Sequence, residues 1–234
     1  MGRLALITGA SSGIGEALAV SMSRKQYKVV LVARSESKLK LISDRIHKEG
    51  GDSLALRVDL ENSGEISSLK DKIAGYGELS VIINNAGYGR FNDLENTEIE
   101  DWDRHININL RASFLICKAF VPMMKKKREG ILVFVNSVAG KKGYSNSSAY
   151  VASKYGLRGF SDALREELRE YNIKVLSIFP GAVNTPFWDD LDAGFDKSEM
   201  LDVEVLSESI VSAIELPGNC VVEEMQLRRI KGDF

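Results

Sequence analysis

Residues that build metal centres and disulfide frameworks are scarce in this 234-residue chain, which has two cysteines and two histidines. Cys117 and Cys220 lie far apart and outside any ligand-like cluster. Both read as buried small hydrophobes of a reducing compartment rather than as a disulfide. His47 and His105 stand alone, with no Cys, His or carboxylate at ligand spacing, so no metal site is expected. Neither sign of charge dominates: 31 basic residues face 33 acidic ones, for a net charge of -2. Such balance gives no electrostatic reason to expect nucleic acid or an anionic membrane as a partner. No apolar run approaches the ~20 residues that span a bilayer. Leu4–Ile7 is too short for a signal sequence, and Leu6 stands where a myristoylation pattern needs Ser or Thr. A cytoplasmic location is expected.

No repeat, low-complexity tract or Pro/Gly-rich linker divides the chain, so one domain spanning 1–234 is expected. What recurs is an apolar run, a turn and a helical pattern. The runs are Leu4–Ile7, Val29–Val32, Leu54–Val58, Val81–Ile83, Ile131–Val135, Val175–Phe179 and Cys220–Val222. Their Val/Ile/Leu content suits strands covered on both faces. Helical periods run from Ile14 to Arg24, Ser37 to Lys48, Ile66 to Ala74, Trp102 to Lys127, Ala149 to Glu170 and Glu204 to Glu215. This alternation predicts an α/β fold, a doubly wound parallel sheet of about seven strands with helices on both faces. Ligands in such sheets bind beyond the carboxyl ends of the strands. Pro122 should kink its helix, and Lys125-Lys126-Lys127-Arg128 reads as a solvated helix end whose cations complement the macrodipole.

Strand one leads into Thr8-Gly9-Ala10-Ser11-Ser12-Gly13-Ile14-Gly15 and then a helix. Glycines allow a tight turn and close approach of a ligand, and the helix N-terminus suits a pyrophosphate. The spacing G-x-x-x-G-x-G differs from the common G-x-G-x-x-G, and a merely structural turn is the alternative. The second strand ends in Val32-Ala33-Arg34-Ser35. Ala33 stands where NAD-binding folds usually carry an acid, and Arg34 suits a 2′-phosphate, which favours NADP(H) as cofactor. A solvated arginine is the plainer reading.

Tyr150 and Lys154 lie four positions apart on a predicted helix lined with small residues, Ala149, Ala152, Ser153 and Gly156. Joined to the glycine turn, this Tyr-x-x-x-Lys resembles the short-chain dehydrogenase/reductase family. Further motifs stand in the family's order: Asn84-Asn85-Ala86-Gly87 after the fourth strand and Asn109 in the following helix. Ser137 ends the fifth strand, and Pro180-Gly181 with Thr185 follows the sixth. The resemblance covers residues 3 to 223 and implies a Rossmann-type oxidoreductase. It gives Tyr150 as proton donor, Ser137 as the group that polarises the carbonyl, Lys154 as a partner that lowers the tyrosine's pKa, and Asn109 as support of a water relay. The contacts it implies for the cofactor are Gly9, Ser11, Ser12, Gly13, Ile14 and Gly15 in the turn, and Arg34 and Ser35 after strand two. Asp59 and Leu60 follow strand three, and Asn85, Ala86 and Gly87 strand four. Tyr150, Lys154, Pro180, Gly181, Val183 and Thr185 complete the set. Asp59 could instead cap a helix and Asn85 pin a loop. Ser12 departs from the Lys or Arg that many NADP-preferring members carry there.

Substrate choice is expected in Tyr88–Phe91, Val138–Tyr144 and a stretch from Ala182 to about Leu201. Phe187, Trp188, Leu191, Phe195 and Met200 there, with Asp189, Asp190, Asp192 and Asp196, suggest either a lid with an acidic rim or an ordinary surface loop. The expected partner is a small or medium carbonyl or alcohol. A 3-oxoacyl thioester reductase and a non-catalytic dinucleotide-binding regulator are the alternatives. The family's habit of pairing its two long helices implies a homodimer or homotetramer.

Overall fold

The computed structural model describes residues 2–189 and 196–232. Its seven strands are β1 (Arg3–Thr8), β2 (Lys28–Ala33), β3 (Ser53–Arg57), β4 (Glu78–Asn84), β5 (Gly130–Val135), β6 (Ile173–Pro180) and β7 (Glu224–Leu227). All pair in parallel, in the order β3-β2-β1-β4-β5-β6-β7. The helices are α1 (Gly13–Arg24), α2 (Glu36–Lys48), α3 (Ser63–Lys72), α4 (Ile99–Ile106), α5 (Ala112–Lys127), α6 (Ser148–Leu168) and α7 (Val203–Ile214).

Strand side chains alternate between the two faces, so each continuous apolar run feeds two cores. Ala5 and Ile7 of β1 join Leu18 and Met22 of α1, Leu39 and Ile46 of α2, and Leu206 and Ile210 of α7. Leu4 and Leu6 join Ile66 and Leu69 of α3, Ile116 and Phe120 of α5, and Leu157 of α6. Burial on both faces is why the strands read as unbroken hydrophobic runs. The order of the sheet reverses between β1 and β4, which leaves their carboxyl ends facing a common crevice.

Three expectations change. The last strand begins at Glu224, after the expected Cys220–Val222, because the Glu223 carbonyl is the group that docks: it accepts from Ser177 N at 2.9 Å and from Arg165 Nη2 at 3.1 Å. Cys220 precedes that anchor and is exposed, whereas Cys117 is buried as expected. The long helix expected over 102–127 is α4 and α5 joined by a π-helical segment, Asn107–Arg111. Such an inserted residue turns one side chain out of helical register, and it falls at fully buried Asn109. Pro122 lies inside α5, where its ring removes one internal N–H donor. The basic run is a helix end as expected: α5 stops at Lys127, and Arg128 is left-handed at φ 57°. Lys125 pairs there with Glu167 at 2.6 Å.

The small residues of α6 allow close approach within the chain. A Cβ at Gly156 would lie 2.8 Å from Leu110 Cδ2 of the π segment. Farther along α6, buried Arg165 reaches across to the sheet. It donates to Val175 O at 3.3 Å, Ser177 Oγ at 3.0 Å and Glu223 O, and pairs with Asp162 at 2.8 Å. Arg165→Ala would remove the side-chain donor from Val175 O and Ser177 Oγ and leave Glu223 O with the Ser177 N–H alone. A loss of about 2–3 kcal/mol in unfolding free energy, read by urea denaturation, is expected; an unchanged midpoint would show that Arg165 does not secure β7.

Candidate active site

Thr8 and Asn85 clasp the crevice where the sheet order reverses. Thr8 Oγ1 accepts from Asn85 N at 3.0 Å and Ala86 N at 3.1 Å, while Asn85 Nδ2 donates to Thr8 O at 3.0 Å and Gly9 O at 3.2 Å. The Asn85 amide therefore pins the glycine turn. Gly9 and Gly13 adopt left-handed φ values of 65° and 57°, which a side chain would strain. A Cβ on Gly13 would also crowd Thr185 at 3.1 Å. Gly15 packs inside the turn, where a Cβ would meet Gly9 O at 2.2 Å. Ser12 caps α1 in extended conformation without a side-chain bond, which leaves the first-turn N–H groups open to an anion.

One cleft of about 1120 Å³ runs along these strand ends. Every residue expected at the site lines it except Gly15 and Asn109. One end carries Arg34 and Ser35 after β2, with Asp59 and Leu60 after β3. Asp59 Oδ1 also accepts from Glu61 N at 3.0 Å, so part of its carboxylate holds its own turn. Lys38 lines the same end. It escaped the sequence reading, although its place four residues after Arg34 sets both cations over the start of α2. Among the described residues neither has a hydrogen-bond or ion-pair partner. Two unpaired cations beside open helix N–H groups fit a phosphate-rich ligand. Among the described residues no group of His, Cys, Asp and Glu could hold a metal, and no helix is long and apolar enough to cross a membrane.

At the other end Ser137, Tyr150 and Lys154 converge. Ser137 Oγ accepts from Ala139 N at 3.1 Å, and the Ser137 and Tyr150 side chains line the same end of the cleft. Lys154 is 4% exposed, and its Nζ donates to Val135 O at 3.1 Å. Asn136, which the sequence reading passed over, ties this set together. Its Nδ2 donates to Lys154 O at 3.1 Å and its Oδ1 accepts from Ser137 N at 2.8 Å. Gly140 makes room, since a Cβ there would meet Asn136 Oδ1 at 2.5 Å.

Asn109 sits behind the cleft wall with its amide fully engaged. Oδ1 accepts from Tyr88 N at 2.7 Å, and Nδ2 donates to Tyr88 O and Ser153 Oγ, both at 2.9 Å. Buried His105 holds the next turn of that loop: Arg90 N donates to its Nε2 at 3.1 Å, so Nδ1 carries the proton and donates to Asp101 O at 2.6 Å. Burial holds the His105 pKa below its ordinary value, and this neutral tautomer agrees.

Burial governs the electrostatics here. It pushes the Tyr150 phenol up to about 12, against a smaller lowering by the neighbouring Ser137 hydroxyl. The expected lowering by Lys154 does not dominate, because the ammonium points to Val135 O and lies 5.7 Å from the ring centroid. Burial also brings Lys154 down to about 8. The charged lysine therefore costs stability below pH 8, and the cost fades as pH rises from 8 toward 10.5, where the folded chain releases its proton before the unfolded one does. At pH 7 this amounts to roughly 3 kcal/mol, offset by about 1 kcal/mol for the bond to Val135 O. Lys154→Met should accordingly stabilise the ligand-free chain by roughly 2 kcal/mol at pH 7, with a smaller gain at pH 10. Thermal melts at both values check this; a destabilised variant would contradict it.

The segment from Ala182 to Leu201 is anchored at both ends, with Leu201 N on Ala182 O and Asn184 N on Leu201 O, each at 2.9 Å. Phe187 and Trp188 line the cleft and Met200 is buried, while Asp190, Leu191, Asp192 and Phe195 lie outside the described residues. The expected flanking segments contribute Tyr88, Phe91, Val138 and Tyr144 to the same cleft.

The short chain dehydrogenase family model matches residues 3–195. The chain is 33% identical to a sepiapterin reductase of Chlorobaculum tepidum over 242 residues, which covers 100% of this chain and 99% of that one. It is 37% identical to the 3-oxoacyl-acyl-carrier-protein reductase of Escherichia coli over 185 residues, 79% of this chain and 75% of the other. An alcohol dehydrogenase from the archaeon Thermococcus sibiricus, complexed with 5-hydroxy-NADP, superposes with a TM-score of 0.91 at 28% identity, covering 98% of this chain and 97% of that one. The seven-stranded Rossmann sheet, the strand-end cleft and these likenesses agree: the chain belongs to the short-chain dehydrogenase family of oxidoreductases.

Proposed function

We propose that the protein is an NADP(H)-dependent carbonyl reductase and alcohol dehydrogenase for small or medium substrates. The convergence of Ser137, Tyr150 and Lys154 at one end of a cleft whose other end carries unpaired Arg34 and Lys38 is the observation that carries this reading. The open N-terminus of α1 would take the pyrophosphate. Arg34, with Lys38, would take a 2′-phosphate by charge-assisted hydrogen bonds, a preference supported by the NADP-type ligand of the archaeal relative. NADPH, when bound, supplies the hydride for the carbonyl carbon.

The protein's own contribution is at the oxygen. Ser137 Oγ donates a hydrogen bond to the carbonyl oxygen, and Tyr150 Oη gives it a proton as negative charge develops. A phenol held near 12 is protonated at neutral pH and ready to donate. The alcohol leaves behind a phenolate, which the nearby Lys154 ammonium stabilises until solvent returns the proton. The reverse direction uses the phenolate as base. Asn109 and Asn136 act as positioning residues, the first through the Tyr88 loop and Ser153, the second through Ser137 N and Lys154 O. The segment around Phe187 and Trp188 serves as the substrate lid. A homodimer or homotetramer built on α5 and α6, which expose Phe114 and Tyr155, belongs to the same reading.

The similarity to an acyl-carrier-protein reductase favours a second reading, reduction of a 3-oxoacyl thioester. Following NADPH absorbance with simple ketones, aldehydes and an acetoacetyl thioester separates the two. The expected result is consumption with the simple carbonyls; consumption confined to the thioester would replace the first reading by the second. Tight NADPH binding with no consumption of any substrate would point to a regulator.

Tyr150→Phe should reduce kcat at least about 1000-fold while NADPH affinity stays within about threefold; near-normal turnover would overturn the assignment. Replacing Arg34 and Lys38 together by Ala should weaken NADPH binding by at least about 100-fold, each charge-assisted contact contributing about 1.5–3 kcal/mol, and leave NADH binding nearly unchanged. Equal effects on both cofactors in a fluorescence titration would remove the 2′-phosphate from the account.

A further inference from the structure

Three aromatic side chains roof the Tyr150 end of the cleft, and their arrangement narrows the substrate. Phe91 lies edge-on to the Tyr150 ring, with centroids 5.5 Å apart, and Phe187 stands 6.3 Å from it. Trp188 is stacked on Phe91 at 6.2 Å, with 30° between the planes. None of these rings sits there by default. Phe91 follows the loop held by Asn109 and His105. Phe187 fits only because position 89 is glycine, where a Cβ would lie 2.3 Å from its Cζ. Trp188 Nε1 donates to Val183 O at 3.0 Å, which fixes the plane of the indole. A substrate that presents a carbonyl to Tyr150 and Ser137 meets a cleft lining to which these three rings contribute beside Val138 and Tyr144.

Phe91 and Trp188 touch each other, since aromatic pairs in contact have centroids roughly 4.5–7 Å apart. Phe187 joins them, 6.4 Å from Phe91 and 5.3 Å from Trp188 between centroids. A guest therefore lies against the faces and edges that this cluster presents to the cleft. A saturated ring there buries apolar area but gains no stacking. Offset and edge-on aromatic contacts favour a planar ring beyond the area that it buries. We infer that Phe91, Phe187 and Trp188 form an aromatic wall that selects carbonyl substrates carrying a planar aromatic or heteroaromatic ring. The inference rests on the reductase reading and specifies its substrate class.

The test compares 4-phenyl-2-butanone with 4-cyclohexyl-2-butanone, whose carbonyls are insulated from the ring and equally reactive. The wild-type protein should reduce the phenyl ketone with kcat/KM at least about fivefold higher, even though cyclohexyl is the more hydrophobic ring. In Phe91→Leu and Trp188→Leu the ratio should fall toward one. Because it is a ratio within one preparation, partial misfolding of a variant cancels. A wild-type ratio near or below one, or a ratio unchanged in both variants, overturns the aromatic wall. So does reduction of small aldehydes with neither ketone consumed, a result that leaves the reductase reading intact. Failure to reduce any carbonyl overturns the reductase reading itself and the aromatic wall with it.

Discussion

The hydrogen bonds between Thr8 and Asn85 are the constraint on which the site depends. β1 and β4 are neighbours from which the chain departs in opposite directions, so nothing in the sheet closes the gap beyond their ends. A threonine hydroxyl that accepts two backbone N–H groups, and an amide that donates to two carbonyls, satisfy that gap's polar groups without filling it. The glycine turn is thereby held open, and Gly15 lets the start of α1 close on Gly9 O. The open cleft follows from this clasp.

At the opposite end the same economy operates through amides. Asn136 joins the end of β5 to α6, and Asn109 joins the π segment to the loop after β4 and to α6. Between them they fix where Ser137, Tyr150 and Lys154 stand, while burial sets the protonation of the latter two. A lysine kept 4% exposed against a single carbonyl is a stability cost, and strain of this kind concentrates at functional sites. The clustering of rings around Tyr150 adds to that desolvation, so the features that would grip a substrate also shape the phenol's chemistry.

The seven-strand alternation was legible because each strand buries both faces and carries its apolar residues without interruption. β7 was not. Its residues Glu224–Leu227 are at most half-buried, and its start is set by a carbonyl bonded to Arg165, more than fifty residues away in the chain. Tyr150, Lys154 and Ser137 were readable from spacing and family order. Asn136 was not, because its role is a bond to the backbone of Lys154 that no local pattern announces. The π segment was hidden in a helical period that it interrupts by a single residue. Lys154 was expected to govern Tyr150 by charge; only the three-dimensional surroundings reveal that the ammonium points to Val135 O and that burial is the larger effect. The small residues of α6 were evident in sequence, yet their partner, Leu110, became apparent only when the π segment was in place.

The central claim is that this cleft passes a hydride to a carbonyl carbon while Tyr150 protonates the oxygen. The most direct measurement is label transfer, in which 4-deuterated NADPH is incubated with the protein and an aryl ketone and the alcohol is weighed by mass spectrometry. The account predicts that the alcohol made with one of the two 4-deuterated diastereomers gains one mass unit, and that the Tyr150→Phe protein yields no labelled alcohol. Cofactor binding without transfer of label from either diastereomer to any carbonyl would contradict it.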